Sequence, residues 1–135
     1  MDKKTDINIK NKDVPKRILL VEDDDSLANV YTMRLLIEGF DVRRVDNGED
    51  ALSIALSYKP DMVLLDIMLP KVSGFDVLDI LRHTTETANL KIVVMTALGQ
   101  ESDKERADQL GADEYLVKSQ VVIADVVDRI KKLLE

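Results

Sequence analysis

The stretch Met62-Val63-Leu64-Leu65-Asp66-Ile67-Met68-Leu69-Pro70 decides the fold. Its four leading apolar residues follow Lys59-Pro60 and read as a strand buried on both faces, as in a parallel sheet covered by helices. Such a strand ends where it reaches water, and here it ends at an aspartate. Pro70 bars regular sheet beyond that point. Asp66 is thereby placed at the carboxyl end of a central strand, on the rim where open α/β sheets bind their ligands.

Outward from this strand, short apolar runs alternate with longer segments of helical period. Arg17 to Val21 is the first strand, followed by a helix over Leu27 to Ile37 with Asp25 or Ser26 as its cap and Gly39 just past its end. Asp41 to Val45 is the second strand, and Asn47 caps a helix from about Gly48 to Ser57 that Pro60 stops. Beyond Asp66, Gly74 to about His83 forms the third helix, with Phe75, Leu78 and Leu81 at turn spacing. Lys91 to Thr96 is the fourth strand. Ser102 and Glu105 form a capping box that opens a short helix ending at Gly111. Glu114 to Val117 is the last strand, and Ser119 caps a final helix that gathers Ile123, Val126, Val127, Ile130 and Leu134 on one face.

Alternating strands and helices with short connections predict an α/β domain, a doubly wound five-stranded parallel sheet with five helices. Composition orders the strands. Ile18 to Val21, Met62 to Leu65 and Ile92 to Met95 are nearly unbroken apolar runs and belong in the middle, whereas Asp41-Val42-Arg43-Arg44-Val45 and Glu114-Tyr115-Leu116-Val117 suit the edges. The order 2-1-3-4-5, that of flavodoxin-like folds, satisfies this and places the ligand crevice where the first and third strands diverge.

The 135 residues fit one domain, with a radius of gyration of roughly 14 Å. Hydrophobic content of 45% with 4% aromatic residues and no Trp points to a core of Leu, Ile and Val. Zero cysteines exclude disulfides, thiolate metal sites and cysteine catalysis. No apolar run approaches the roughly 18 residues of a membrane span, and the first residues lack the apolar core of a signal peptide, so a cytoplasmic location is expected. A net charge of −7 argues against a direct nucleic-acid surface, which needs clustered Lys and Arg. Residues 1–15 are polar and charge-mixed and are read as a flexible tail, leaving 16–135 as the folded domain.

Strand spacing places the chemistry. Neighbouring strands lie about 4.8 Å apart, so Glu22 and Asp23 stand beside Asp66, Thr96 stands on its other side, and Lys118, two strands away, reaches back on its long stem. Two carboxylates at about 5 Å repel by roughly 3 kcal/mol at an effective dielectric of 20, which calls for a compensating cation. Oxygen ligands with open positions point to Mg²⁺. Asp24 and Asp25 fit better as negative charge at a helix amino terminus. The sole histidine, His83, follows an apolar helical face far from the rim and is given no catalytic part.

In order and spacing, Val21-Glu22-Asp23-Asp24, Leu64-Leu65-Asp66-Ile67-Met68-Leu69-Pro70 with Gly74 following, Met95-Thr96-Ala97 and Glu114-Tyr115-Leu116-Val117-Lys118 resemble the receiver domain of two-component response regulators. The resemblance covers Lys16 to about Leu134. Any one motif is weak, but four in sequence on the expected strands are specific. It implies that Asp66 accepts a phosphoryl group from a phosphohistidine on a sensor histidine kinase or phosphotransfer protein. It also implies that Asp23, Asp66 and the main-chain carbonyl of Met68 bind Mg²⁺, with Glu22 helping through water. Thr96 and Lys118 would contact the phosphoryl oxygens, and Tyr115 would change rotamer with phosphorylation.

The family usually follows this lysine with a proline in a cis peptide. Ser119 stands here instead, and a non-proline cis bond costs about 3 kcal/mol, so a trans bond is expected. Met68 and Leu98, two residues past Asp66 and Thr96, flank the path of attacking water in the family, which implies a long-lived phosphoryl group. Leu27 and Val30 on the first helix are a kinase-docking face by the same resemblance, or else core.

The weakly anchored fourth helix, the fifth strand and the fifth helix are expected to form the output surface. Because the chain ends soon after the fifth helix, a stand-alone receiver acting on an unknown downstream protein is expected. The alternatives are a phosphorylation-independent protein-binding module and a receiver fragment of a longer regulator. An aspartyl phosphatase would want a second acid where Met68 stands.

Overall fold

The computed structural model describes residues 14–135, so the tail expected over the first residues lies, up to residue 13, outside the described residues. Five parallel strands form one sheet: β1 (Arg17–Val21), β2 (Asp41–Val45), β3 (Met62–Leu65), β4 (Lys91–Thr96) and β5 (Glu114–Val117), in the order β2-β1-β3-β4-β5. The helices are α1 (Asp25–Ile37), α2 (Gly48–Tyr58), α3 (Gly74–Arg82), α4 (Glu101–Gln109) and α5 (Ile123–Leu133). Fold class and strand order are as the apolar runs require.

Because side chains alternate across a strand, each central strand feeds two cores. Leu19, Val21, Val63, Leu65, Ile92 and Val94 face one way and pack with Ala51 and Ala55 of α2, Phe75, Leu78 and Leu81 of α3, and Ala107 of α4. Ile18, Leu20, Met62, Leu64, Val93 and Met95 face the other way, against Ala28, Tyr31 and Leu35 of α1 and Val126, Val127 and Ile130 of α5. Burying each such side chain contributes on the order of 1.5–3 kcal/mol, so the strand ends are held on a rigid platform.

Helix starts differ from expectation in three places. On α1 the cap is Asp24, whose Oδ1 accepts the Leu27 N–H at 2.9 Å, because the Asp24 N–H is itself held by Glu22 Oε2 at 3.1 Å and tightens the turn. The capping box of Ser102 and Glu105 does not form: α4 begins at Glu101, and Gln100 at the cap position makes no side-chain bond. Ser119 does not cap α5 either. It lies in a 3₁₀ turn over Lys118–Gln120, and α5 starts at Ile123, near where Val121 and Ile123 begin to pack on the core.

Asn47 does cap α2, accepting from the Asp50 N–H at 2.9 Å. No peptide bond among the described residues is cis, so Lys118–Ser119 is trans as expected. Gly74 lets α3 start against the phosphoacceptor candidate's own backbone: a Cβ there would stand 2.3 Å from the Asp66 carbonyl oxygen.

Candidate functional site

The rim is built by register. Val21 pairs with Leu65, so the next residues, Glu22 and Asp66, emerge side by side, and the Asp66 N–H still donates to the Val21 carbonyl at 3.1 Å. Thr96 pairs with Val117, which delivers Lys118 at the following position. Glu22, Asp23 and Asp66 each offer an oxygen within 4.8 Å of the others. Glu22 and Asp66 are buried at 1% and 5% exposure, whereas Asp23 is exposed.

Lys118 crosses the rim to this cluster, as expected. Its Nζ donates to Asp66 Oδ2 at 2.8 Å and lies 2.7 Å from Glu22 Oε1. The second contact is an ion pair off the hydrogen-bond axis and leaves the buried Glu22 Oε1 without a hydrogen-bond partner. Asp66 Oδ1 accepts the Met68 N–H at 3.1 Å. Burial drives the Glu22 carboxyl above the usual range, only partly countered by Lys118 and the Asp24 N–H. For Lys118, burial alone would depress the ammonium, but the adjacent Asp66 and Glu22 carboxylates raise it on balance.

Three carboxylates against one ammonium leave a net double negative charge, part of it buried. The buried Glu22 oxygen, ion-paired but not hydrogen-bonded, and the all-oxygen donor set fit a hard divalent cation.

Thr96 is fully buried at the end of β4, and its Oγ1 accepts the Leu98 N–H at 3.3 Å. Tyr115 donates its hydroxyl to the Leu98 carbonyl at 2.7 Å, and burial, ahead of Asp103 and Asp66, raises its pKa. Met68 is 56% exposed beside Asp66, and Leu98 is partly buried. His83 stands at the end of α3 with its Nδ1 3.1 Å from Asp79, apart from the rim, as expected. One side chain that sequence reasoning passed over belongs here: Arg44 of β2 donates from Nε to the Glu22 carbonyl at 2.9 Å. Two adjacent arginines on an edge strand were its only signal.

Fold and rim together define a doubly wound α/β domain whose acidic centre is bridged by a lysine from a more distant strand. The family model of the response regulator receiver domain matches residues 18–131, and the chain belongs to that family. It is 34% identical to the polar-differentiation response regulator DivK of Brucella anthropi, over 90% of this chain and 98% of DivK. It is 36% identical to the DNA-binding dual master transcriptional regulator RpaA of Synechocystis, over 87% of this chain but only 48% of RpaA, so it spans about half of that relative.

Among solved structures, the BeF3-activated N-terminal receiver domain of Klebsiella pneumoniae RstA matches with a TM-score of 0.80 and 29% identity, covering 86% of this chain and 96% of that one. Receiver domains are signalling switches, not enzymes in the ordinary sense, and typically bind Mg²⁺ at an acidic pocket. They interact with histidine kinases or phosphotransfer proteins.

Proposed function

We propose that this receiver takes a phosphoryl group onto Asp66 from a phosphohistidine and signals the change to another protein. The observation that carries the reading is the reach of Lys118 to both Asp66 and Glu22, with Asp23 inside the same 4.8 Å cluster. A fold keeps so much like charge on its rim when the charge serves a reaction.

Phosphoryl transfer needs an in-line nucleophile and neutralisation of the oxygens around phosphorus. Asp66 supplies the nucleophilic carboxylate, and the Met68 N–H and Lys118 hold its two oxygens in one orientation. Lys118 and the Thr96 hydroxyl stand on strand ends and provide donors to the phosphoryl oxygens without reorganisation of the backbone. Asp23, Asp66 and the Met68 main-chain carbonyl would hold Mg²⁺, with Glu22 assisting through water, and the ion would neutralise charge on the transferring group.

The phosphoryl donor is a sensor histidine kinase or a phosphotransfer protein, and the output runs through α4, β5 and α5 to a downstream protein. Tyr115, bonded to the turn that follows Thr96, is placed to respond when Thr96 engages the phosphoryl group.

The test is incubation with a small acyl phosphate and Mg²⁺ followed by intact-mass measurement. One phosphoryl adduct on the wild type and none on Asp66→Asn is the expected result. An adduct that persists in Asp66→Asn would move the acceptor elsewhere.

A further inference from the structure

Asp23 is the exposed member of the acidic trio, and the structure gives its carboxylate no hydrogen-bond partner among the described residues. Its position must come from its neighbours along the chain, and these are tied by one side chain from the edge strand. Arg44 Nε donates to the carbonyl of Glu22 at 2.9 Å, and Arg44 Nη2 forms an ion pair, without a hydrogen bond, with the exposed Asp25 Oδ1 at 2.9 Å. Glu22 immediately precedes Asp23, and Asp25 follows two residues later as the first residue of α1. Arg44 itself is fixed in the sheet opposite Leu20. Its guanidinium therefore joins both ends of the turn that presents Asp23, by a hydrogen bond at one end and an ion pair at the other.

Geometry and charge make opposite demands here. A guanidinium beside an acidic cluster repels an arriving divalent ion, so on charge alone its removal tightens Mg²⁺ binding. A residue that orients a ligand-bearing turn acts the other way, and losing such support commonly costs ten- to a hundredfold in metal affinity. The fork meets a neutral carbonyl and an exposed carboxylate, and it touches none of the three oxygens that cluster at the rim. Orientation is the larger effect.

We propose that Arg44 is a positioning residue for Asp23, holding the β1–α1 turn so that Asp23 completes the Mg²⁺ site. The inference rests on the Mg²⁺ reading given above.

Calorimetric titration of Mg²⁺ into the full chain tests it. Arg44→Gln is expected to lower the affinity about tenfold. Arg44→Lys keeps the charge but cannot make both contacts at once, so it is expected to fall between wild type and Arg44→Gln. In metal-free protein, amide exchange at Asp24 to Ser26 is expected to quicken in Arg44→Gln while the central strands stay protected, which also confirms that the variant is folded.

Should Arg44→Gln fail to fold, Asp25→Asn removes the ion pair and is expected to weaken Mg²⁺ by a smaller factor. Affinity equal to or tighter than wild type in Arg44→Gln, or in Asp25→Asn where that variant stands in, overturns the proposal alone. A wild-type chain that takes up no Mg²⁺ overturns the metal reading with it.

Discussion

Lys118→Met tests whether the lysine is the internal counter-ion of the metal-free rim. Methionine keeps the length of the stem and removes the charge. Glu22 and Asp66, buried at 1% and 5% exposure, would then face each other and Asp23 with no cation of the described residues within bonding distance. Stripping one partner from a buried ion pair costs about 3–5 kcal/mol; the Lys118 side chain is 22% exposed, which lowers the expectation to about 2–3 kcal/mol.

For a chain of 135 residues that corresponds to a fall in melting temperature of about 10 °C in the presence of a chelator. The same substitution removes a competitor for the metal, so Mg²⁺ should bind about tenfold tighter, and saturating Mg²⁺ should recover about 1.4 kcal/mol of the loss. Thermal melts followed by circular dichroism, with chelator and with saturating Mg²⁺, read both effects. A variant that melts with the wild type in chelator, or whose deficit does not narrow in Mg²⁺, would refute the counter-ion role.

Asp23→Ala removes an exposed charge repelled by two buried ones, so it should raise the metal-free melting temperature by roughly 3 °C, about 1 kcal/mol after solvent screening, and abolish Mg²⁺ uptake. A lower melting temperature would reveal a structural bond at Asp23. Burial, followed by the nearby Asp41, pushes the Tyr58 phenol up to about 12. Tyr58 therefore contributes stability that is intact below pH 10 and is lost as pH rises through about 12. Absorbance titration should show native tyrosines ionising later than the same chain in denaturant. Met68→Asn places a polar group beside Asp66 and should shorten the phosphoryl lifetime severalfold, read by intact mass over time. Unchanged decay would remove Met68 from any role in shielding the group from water.

Burial is what made most of this rim legible in advance. The runs Ile18 to Val21, Met62 to Leu65 and Ile92 to Met95 can lie only in the middle of a covered sheet. Once they do, register alone brings Glu22, Asp66, Thr96 and Lys118 to one edge. Helix starts were harder, because residues 23–26 and 100–105 each offer several polar side chains of similar capping strength. The choice among them was made by a contact outside the local pattern, such as the Glu22 carboxylate holding the Asp24 N–H. Arg44 escaped notice for a related reason. An arginine on an edge strand reads as a solvated charge, and only the fold shows that its fork turns over the end of β1.

Low apolar content suggested a fourth helix that moves at little cost, and the structure shows where that cost is concentrated. Only Ala107 of α4 is fully buried, yet the two ends of the helix are held very differently. Beyond its last turn, Arg82 donates to the Gly111 carbonyl and to Asp113, binding the α4–β5 turn to the end of α3. In its last turn, Arg106 lies 4.1 Å over the Phe75 ring, at the start of the helix that abuts Asp66. At its beginning there is no side-chain cap, and the preceding turn is tied by the bond from Tyr115 to the Leu98 carbonyl and by the long bond from the Leu98 N–H to Thr96. A helix held by two charge-assisted bonds at one end and only neutral bonds at the other would tilt more readily at the weaker end. That weaker end lies near Thr96, so on the proposed reading a phosphoryl group on Asp66 would act on the end of α4 that moves most readily.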